Sequence, residues 1–161
     1  MHLTRSDIRI LVEALDRAYE LRSWHGPNLR GSIRGLTSGE ASRRPAPGRH
    51  NIREIVLHAA YWKYAVRRRL TGAPRGSFPL KGSNWFARGA AGGGSSWEEE
   101  RKILDREHRR LRKALAAPAA GGPGAPSRPG PETLRMLLEG IAAHDLYHAG
   151  QIRLIRRLMR R

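Results

Sequence analysis

Two histidines stand four residues apart in the last long segment of the chain, at His144 and His148. Because an α-helix advances about 3.6 residues per turn, side chains at this spacing project side by side and can close on one metal ion. Two imidazoles alone rarely form a tight site, and no cysteine, histidine or acidic residue follows His148. The pattern therefore predicts a metal site that another part of the chain completes.

The same spacing occurs in zinc metalloproteases, where a glutamate directly after the first histidine acts as the general base. Here Asp145 occupies that position with a side chain one methylene shorter, and nothing after His148 can serve as a downstream ligand. The sequence argues against a protease. It places the third ligand upstream of His144.

Two upstream histidines fall on apolar faces of segments with helical periodicity. His58 follows Ile55 by three residues and precedes Trp62 by four, and His108 follows Leu104 by four. A site in the core of a helical bundle takes its ligands from such inward faces. Spacing alone does not separate these two candidates. The remaining histidines are terminal or at loop boundaries: His2, His25 and His50.

Four long segments with helical periodicity must position these residues: 6–23, 51–70, 97–117 and 132–160. Asn51 with Glu54, and Ser96 with Glu99, form capping-box-like starts for the second and third. A short apolar stretch over 29–36 is expected to extend the first helix by two turns. Loops are predicted after Gly35, over 71–95 and over 118–131. No strand pattern competes, so the sequence predicts an all-α four-helix bundle with long loops.

Size and composition bound the class of protein. The 161 residues are expected to form one domain over residues 1–161. The absence of cysteine excludes disulfides, thiolate ligands and a sulfur nucleophile from the protein itself. No run approaches the roughly 18 apolar residues of a membrane span, and the first residues do not resemble a signal peptide. We therefore expect a soluble, cytoplasmic protein.

The formal charge of +17 arises from 31 basic and 14 acidic residues. A basic surface attracts nucleic-acid phosphates, so a basic helical nucleic-acid-binding protein is one alternative. However, the arginines are spread along the whole chain, and their denser clusters fall on predicted helices, where solvated faces normally carry charge. We do not expect nucleic acid or a membrane to be the partner.

Two segments resemble a known family. Residues 49–62 read Arg-His-Asn-Ile-Arg-Glu-Ile-Val-Leu-His-Ala-Ala-Tyr-Trp, and residues 144–152 read His-Asp-Leu-Tyr-His-Ala-Gly-Gln-Ile. Together they resemble the DinB-like (DinB/YfiT) superfamily, whose pattern is a histidine in the second helix and a His-x-x-x-His-x-Gly-Gln run in the last. The Trp-His-Gly-Pro at 24–27 and the Arg-Pro-x-Pro-Gly at 44–48 are similar to one branch of it.

The resemblance implies that His58, His144 and His148 are the metal ligands, and that His108 has a role in the core or beside the ligands. It implies a bundle of up-down-down-up order that often forms homodimers. Characterised relatives are metal-dependent transferases or isomerases that use low-molecular-weight thiols of the bacillithiol or mycothiol type. The resemblance therefore implies a metal-dependent S-transferase or hydrolase that uses such a thiol on an electrophilic small molecule.

Three neutral imidazoles would leave a divalent metal its full charge and an open position, which is a catalytic arrangement. Zinc is the first expectation, with nickel or iron as alternatives, since imidazole suits all three. Gln151, at i+3 from His148, is expected to orient that ring, while Tyr147 packs or faces a neighbouring subunit. Asp145 and Trp62 are further candidates for contact with ligands or substrate. The alternative is a non-catalytic, stress-associated metal-binding bundle.

Overall fold

Six α-helices make up the ordered framework of the computed structural model, which describes residues 4–87, 95–116 and 129–159. Four are long and two are short, and no strand occurs in the described residues. In chain order they are α1 (Arg5–Tyr19), α2 (Leu29–Ser32), α3 (Ser38–Ser42), α4 (Ile52–Thr71), α5 (Trp97–Ala116) and α6 (Pro131–Leu158). The predicted all-α four-helix bundle is confirmed. The predicted helix ends at 117 and 160 lie outside the described residues.

The directions of the long helices follow from which ends meet. Arg53 in the first turn of α4 pairs with Glu100 in the first turn of α5, so these two helices are parallel. Asp7 near the start of α1 interacts electrostatically with Arg135 near the start of α6, so these two are also parallel. The start of α4 packs against the end of α6 in one core cluster, and their opposite ends meet in a second. The order is therefore up-down-down-up.

Local capping signals fix where the long helices begin. The Asn51 side chain accepts a hydrogen bond from the Glu54 N–H at 2.9 Å, and the Glu54 carboxylate reaches back to the Asn51 N–H at 3.3 Å. Ser96 and Glu99 form the same reciprocal pair before α5. Such side chains satisfy backbone N–H groups that lack a partner within the helix. Both predicted capping boxes are present.

Two expectations for residues 20–48 are wrong. The apolar stretch after Pro27 does not extend α1, because the Asn28 side chain accepts from the Gly31 N–H at 2.7 Å and starts α2 as a separate turn. The region predicted as a loop contains α3, which begins with a capping box between Thr37 and Glu40. That local hydrogen bonding outweighs the unfavourable helix propensity of Gly39.

The helix α4 and its N-cap are buried on all sides over residues 51–60. Three charged residues of α4 are 6% exposed or less. Each is paired with a partner of opposite charge: Arg53 with Glu100, Glu54 with Arg44, and Lys63 with Asp145. Burial of charge is tolerated only with such pairing. The central helix of the bundle is therefore held by ion pairs as well as apolar contacts.

The connection after α4 packs onto the helix that precedes it. Phe78 and Phe86 are buried and contact the ring of Tyr61, with ring centroids 5.4 and 5.8 Å away. The Tyr64 hydroxyl accepts a hydrogen bond from the Gly76 N–H at 3.1 Å. These contacts hold residues 72–87 against α4 without regular structure. Within the described ranges, no helix is both long and apolar enough to span a membrane.

Candidate metal centre

Three histidines from two antiparallel helices meet near the centre of the bundle. The Nε2 atom of His144 lies 3.1 Å from Nε2 of His58 on α4 and 3.1 Å from Nε2 of His148 on α6. The three residues each offer a ligand atom, and these atoms lie within 4.8 Å of one another. No other group of three histidine or acidic side chains in residues 4–87, 95–116 and 129–159 converges in this way.

The outer nitrogens of two rings are held by hydrogen-bond acceptors. His58 Nδ1 lies 2.9 Å from the Asn84 carbonyl oxygen, and His148 Nδ1 lies 2.7 Å from Gln151 Oε1. Because these oxygens can only accept, each Nδ1 must carry the proton and donate it. The neutral tautomer then leaves a lone pair on each Nε2, facing the cluster. Gln151 is itself held by its Nε2, which donates to the Tyr147 hydroxyl at 2.9 Å.

His144 lies between the two oriented rings. A proton on its Nε2 could serve only one of the two facing lone pairs, whereas a single cation would satisfy all three nitrogens at once. Its Nδ1 is buried and has no hydrogen-bond partner in the part of the chain that the structure describes. His144 is therefore placed by packing, including the Trp62 ring 6.1 Å away, rather than by an acceptor. The donor set fits a divalent metal that favours imidazole.

Burial keeps the three imidazoles neutral. Burial is the main cause that lowers the pKa of His144 to about 3 and of His148 to about 4. It also lowers the pKa of His58, although the Asn84 carbonyl opposes that shift. Since only the neutral ring has a free lone pair, all three residues are in the ligating form at neutral pH.

The loop after α4 closes one face of the cluster. The Trp85 indole is stacked between two imidazoles, 3.7 Å from His50 and 3.9 Å from His58 by ring centroids. Beside it, Asn84 adopts a left-handed backbone conformation with φ 62°, which asparagine tolerates better than most residues. The Asn84 side chain accepts from the Trp62 indole N–H at 3.0 Å. Together His50, Trp62, Asn84 and Trp85 surround His58 on this side.

Sequence reasoning did not identify Asn84, Trp85 or His50 as part of this site. Asn84 and Trp85 lie in a segment without periodicity, and their positions depend on how Phe78 and Phe86 dock onto α4. His50 lies just before α4 and joins the site by stacking on Trp85. The signal that could have drawn attention is a tryptophan within a stretch otherwise rich in glycine and serine, since an aromatic residue there must find a packing partner.

Two other candidates from the sequence lie apart from the cluster. Asp145 is fully buried and pairs with Lys63, because its position on α6 directs the carboxylate toward the bundle core. His108 stacks on the Tyr19 ring at 3.8 Å and lies 3.5 Å from the Asp16 carboxylate. Burial lowers the pKa of His108 to about 2, so this ring is neutral as well. Neither side chain belongs to the group of three converging histidines.

Comparison with known proteins gives one match. The sequence model of the DinB superfamily matches residues 23–152, a range that includes all three clustered histidines. No curated protein matches the chain, and no solved structure does.

Proposed function

The chain belongs to the DinB superfamily, and we propose that it is a metal-dependent S-transferase that joins a low-molecular-weight thiol to an electrophilic small molecule. The observation that carries the proposal is the convergence of three neutral imidazole nitrogens, two of them fixed by acceptors behind the ring. In the proposed reaction the thiol sulfur bonds to the electrophilic carbon. The leaving group departs with its electron pair, and the thiol proton passes to solvent.

His58, His144 and His148 would hold the metal. When bound there, a divalent ion supplies a fixed positive charge that favours the thiolate over the thiol. Zinc is the first candidate because it accepts three imidazoles and leaves a position open, and nickel and iron are the alternatives. The residues that surround the ligands have a separate part: Asn84 and Gln151 keep the Nδ1 protons in place, and the Trp85 ring excludes water from one face of His58.

The sulfur must come from a cosubstrate, because the chain contains no cysteine. A thiol of the bacillithiol or mycothiol type is the proposed cosubstrate, in line with the family resemblance. Both are soluble thiols that reach a site through solvent. No residue of the protein competes with them as a thiolate ligand for the metal.

Turnover with defined metals and thiols tests this function. Untagged protein is loaded with zinc, nickel or iron(II) and mixed with bacillithiol, mycothiol or glutathione and a chloro-dinitro aromatic electrophile. We expect thioether formation that is lost in His58→Ala and retained in His25→Ala, a matched change at an exposed histidine outside the cluster. Turnover that is unchanged in His58→Ala would refute the mechanism.

One observation favours a second candidate, a non-catalytic metal-binding bundle. His58 is 7% exposed and His148 is 2% exposed, and Trp85 covers part of the cluster. Closed sites of this kind hold structural metals in other proteins. The same assay separates the two candidates, because a non-catalytic metal-binding bundle would retain one metal and show no turnover with any thiol.

We also propose that a second copy of the chain covers the outer face of α6. The residues on this face, opposite the core, are apolar or small and recur every three or four positions: Met136, Gly140, Ala143, Tyr147, Gly150, Leu154 and Leu158. Large side chains lie at the two ends of this face, at Met136 and Leu158, and small residues lie on both sides of Tyr147, at Ala143 and Gly150, so the face can pack against an antiparallel copy of itself. A two-fold interface requires such self-complementarity.

The geometry of the glycines agrees with close helix contact. A Cβ atom built at Gly140 or Gly150 meets nothing within 4 Å, so both positions leave room for a neighbouring helix. Sedimentation should show a dimer that Leu154→Arg dissociates, while Ala116→Arg on the exposed end of α5 leaves it intact. A monomer at every concentration, or a dimer that tolerates Leu154→Arg, would contradict this interface.

A further inference from the structure

A groove runs between α4 and α6 and reaches the histidine cluster at one end. It has a volume of about 210 Å³, and its walls include Trp62, Val66, Leu137 and Ile141. Met136 and Gly140 also line it, so the groove borders the face of α6 proposed for the second copy. His144 lines the groove at the cluster end, and its ring centroid is 6.1 Å from that of Trp62. The volume suits a ligand smaller than a typical drug, because drug-sized ligands occupy pockets of roughly 300–1,000 Å³.

One cation, Arg69, lines the same groove. It is exposed, and no residue in the described ranges forms a hydrogen bond or ion pair with its guanidinium. Its neighbours differ, since Arg67 pairs with Glu107 and Arg68 donates to the carbonyls of residues 73 and 74. No carboxylate is among the residues that line the groove. The groove therefore has apolar walls and one uncompensated positive charge.

Arg69 lies two helical turns from the cluster end of the groove. Arg69 follows Trp62 by seven residues on α4, which places it on the same face two turns along, at about 10 Å by the helical rise. The groove thus joins a ligand histidine at one end to a guanidinium at the other. An extended chain of about eight carbons matches the roughly 10 Å of helical rise between Trp62 and Arg69.

We infer that this groove binds the electrophilic substrate, and that the substrate is an anion, such as a carboxylate, on an unbranched apolar chain with the electrophilic carbon at its far end. The inference rests on the proposed function for the identity of the reacting end. Arg69 binds the anion, the apolar walls bind the chain, and the electrophilic carbon reaches the side of His144. The walls bury apolar surface and Arg69 supplies charge selectivity.

A binding experiment with 8-bromooctanoate tests the inference without any turnover. The bromine quenches tryptophan fluorescence on contact, so the probe reports where its far end lies. We expect saturable quenching that Trp62→Phe abolishes and that Trp24→Phe, at a 97% exposed tryptophan outside the groove, preserves. Quenching that survives in Trp62→Phe would place the probe elsewhere and overturn the assignment.

The role of Arg69 is tested by charge. Arg69→Met should weaken 8-bromooctanoate binding about tenfold, the loss expected for one partly solvated charge-assisted contact, and should leave 8-bromooctanol binding unchanged. Arg157→Met, at an exposed arginine near the end of α6, is the matched control and should change neither. Equal losses in both arginine variants, or no loss in Arg69→Met, would overturn the inference.

The outcome is separable from that of the proposed function. Binding is measured without thiol, in both metal-free and metal-loaded protein. Specific binding of 8-bromooctanoate in a protein that lacks all thiol turnover would support the groove and reject the transferase. Thiol turnover of the chloro-dinitro aromatic in a protein that does not bind 8-bromooctanoate would support the transferase and reject the groove as the substrate site.

Discussion

Loss of the Gln151 side chain should weaken metal binding without unfolding the protein. Gln151 Oε1 lies 2.7 Å from His148 Nδ1, and this contact holds the ring in the tautomer that points its lone pair into the cluster. In Gln151→Leu the Nδ1–H has no acceptor. Because His148 is only 2% exposed, water does not readily replace the lost oxygen.

The size of the loss in metal affinity follows from the burial of His148. A buried donor left without a partner costs about 1–3 kcal/mol, and about 2 kcal/mol corresponds to a loss of roughly thirtyfold in affinity. Outer hydrogen bonds to metal-bound histidines show a similar range, about ten- to a hundredfold. In the metal-free protein the His148 ring can carry its proton on Nε2 and donate to His144 Nε2, 3.1 Å away. The cost of an unpaired Nδ1–H therefore arises on metal binding, and replacement of the half-buried Gln151 should change the free energy of unfolding of the metal-free protein by about 0.5 kcal/mol or less.

The assay is competition for zinc with a chromophoric chelator at neutral pH. Two further variants separate the contact of Gln151 with His148 from its contact with Tyr147. Gln151→Glu keeps an acceptor and should bind zinc at least as tightly as wild type. Tyr147→Phe removes only the exposed hydrogen bond from Gln151 Nε2 and should lose less than about threefold, as exposed contacts contribute little.

Equal zinc affinity in wild type and Gln151→Leu would refute the reasoning. So would an equal loss in Tyr147→Phe and Gln151→Leu, because the effect would then not come from the acceptor behind His148.

Three further predictions concern stability, pH and metal exchange. Lys63→Met leaves the buried Asp145 carboxylate without its partner and should lower the free energy of unfolding, measured in urea, by about 3–5 kcal/mol. The added change Asp145→Leu should restore most of that loss. A double variant as unstable as Lys63→Met would contradict this prediction. In metal-free protein the pKa values of His144 and His148 are lowered to about 3 and about 4, so the unfolded state takes up protons first as the pH falls. The free energy of unfolding should therefore fall from about pH 6.5 toward about pH 4, and equal stability at pH 7 and 5 would refute the shifts. Trp85→Ala removes the ring stacked on His58 and should speed zinc transfer to a chelator, measured by stopped flow; a rate equal to that of wild type would show that the ring does not shield the site.

The long helices were predictable because their signals are local. Apolar periodicity and the boxes at Asn51 and Ser96 place the start of each long helix within one residue of the observed start. The short helix α3 also has a local signal, the box between Thr37 and Glu40, but Gly39 obscured it.

The surroundings of the site depend on contacts between distant parts of the chain. Periodicity left His58 and His108 equivalent, since both face inward, and only packing shows that His108 meets Tyr19 while His58 meets the helix α6. Likewise, no local pattern reveals that Trp85 stacks on His58, because the position of that loop is set by two phenylalanines docked on α4. The burial of Arg53 and Lys63 on α4 likewise depends on distant partners, Glu100 and Asp145.

Metal content of untagged protein tests the central claim most directly. Inductively coupled plasma mass spectrometry of protein purified without chelating resin should find about one equivalent of zinc, nickel or iron per chain, as a site with three protein ligands and an open position requires. His58→Ala, His144→Ala and His148→Ala should each lose the metal while His25→Ala retains it. Wild-type protein with no transition metal after loading, or full retention of metal in any of the three cluster variants, would contradict the account.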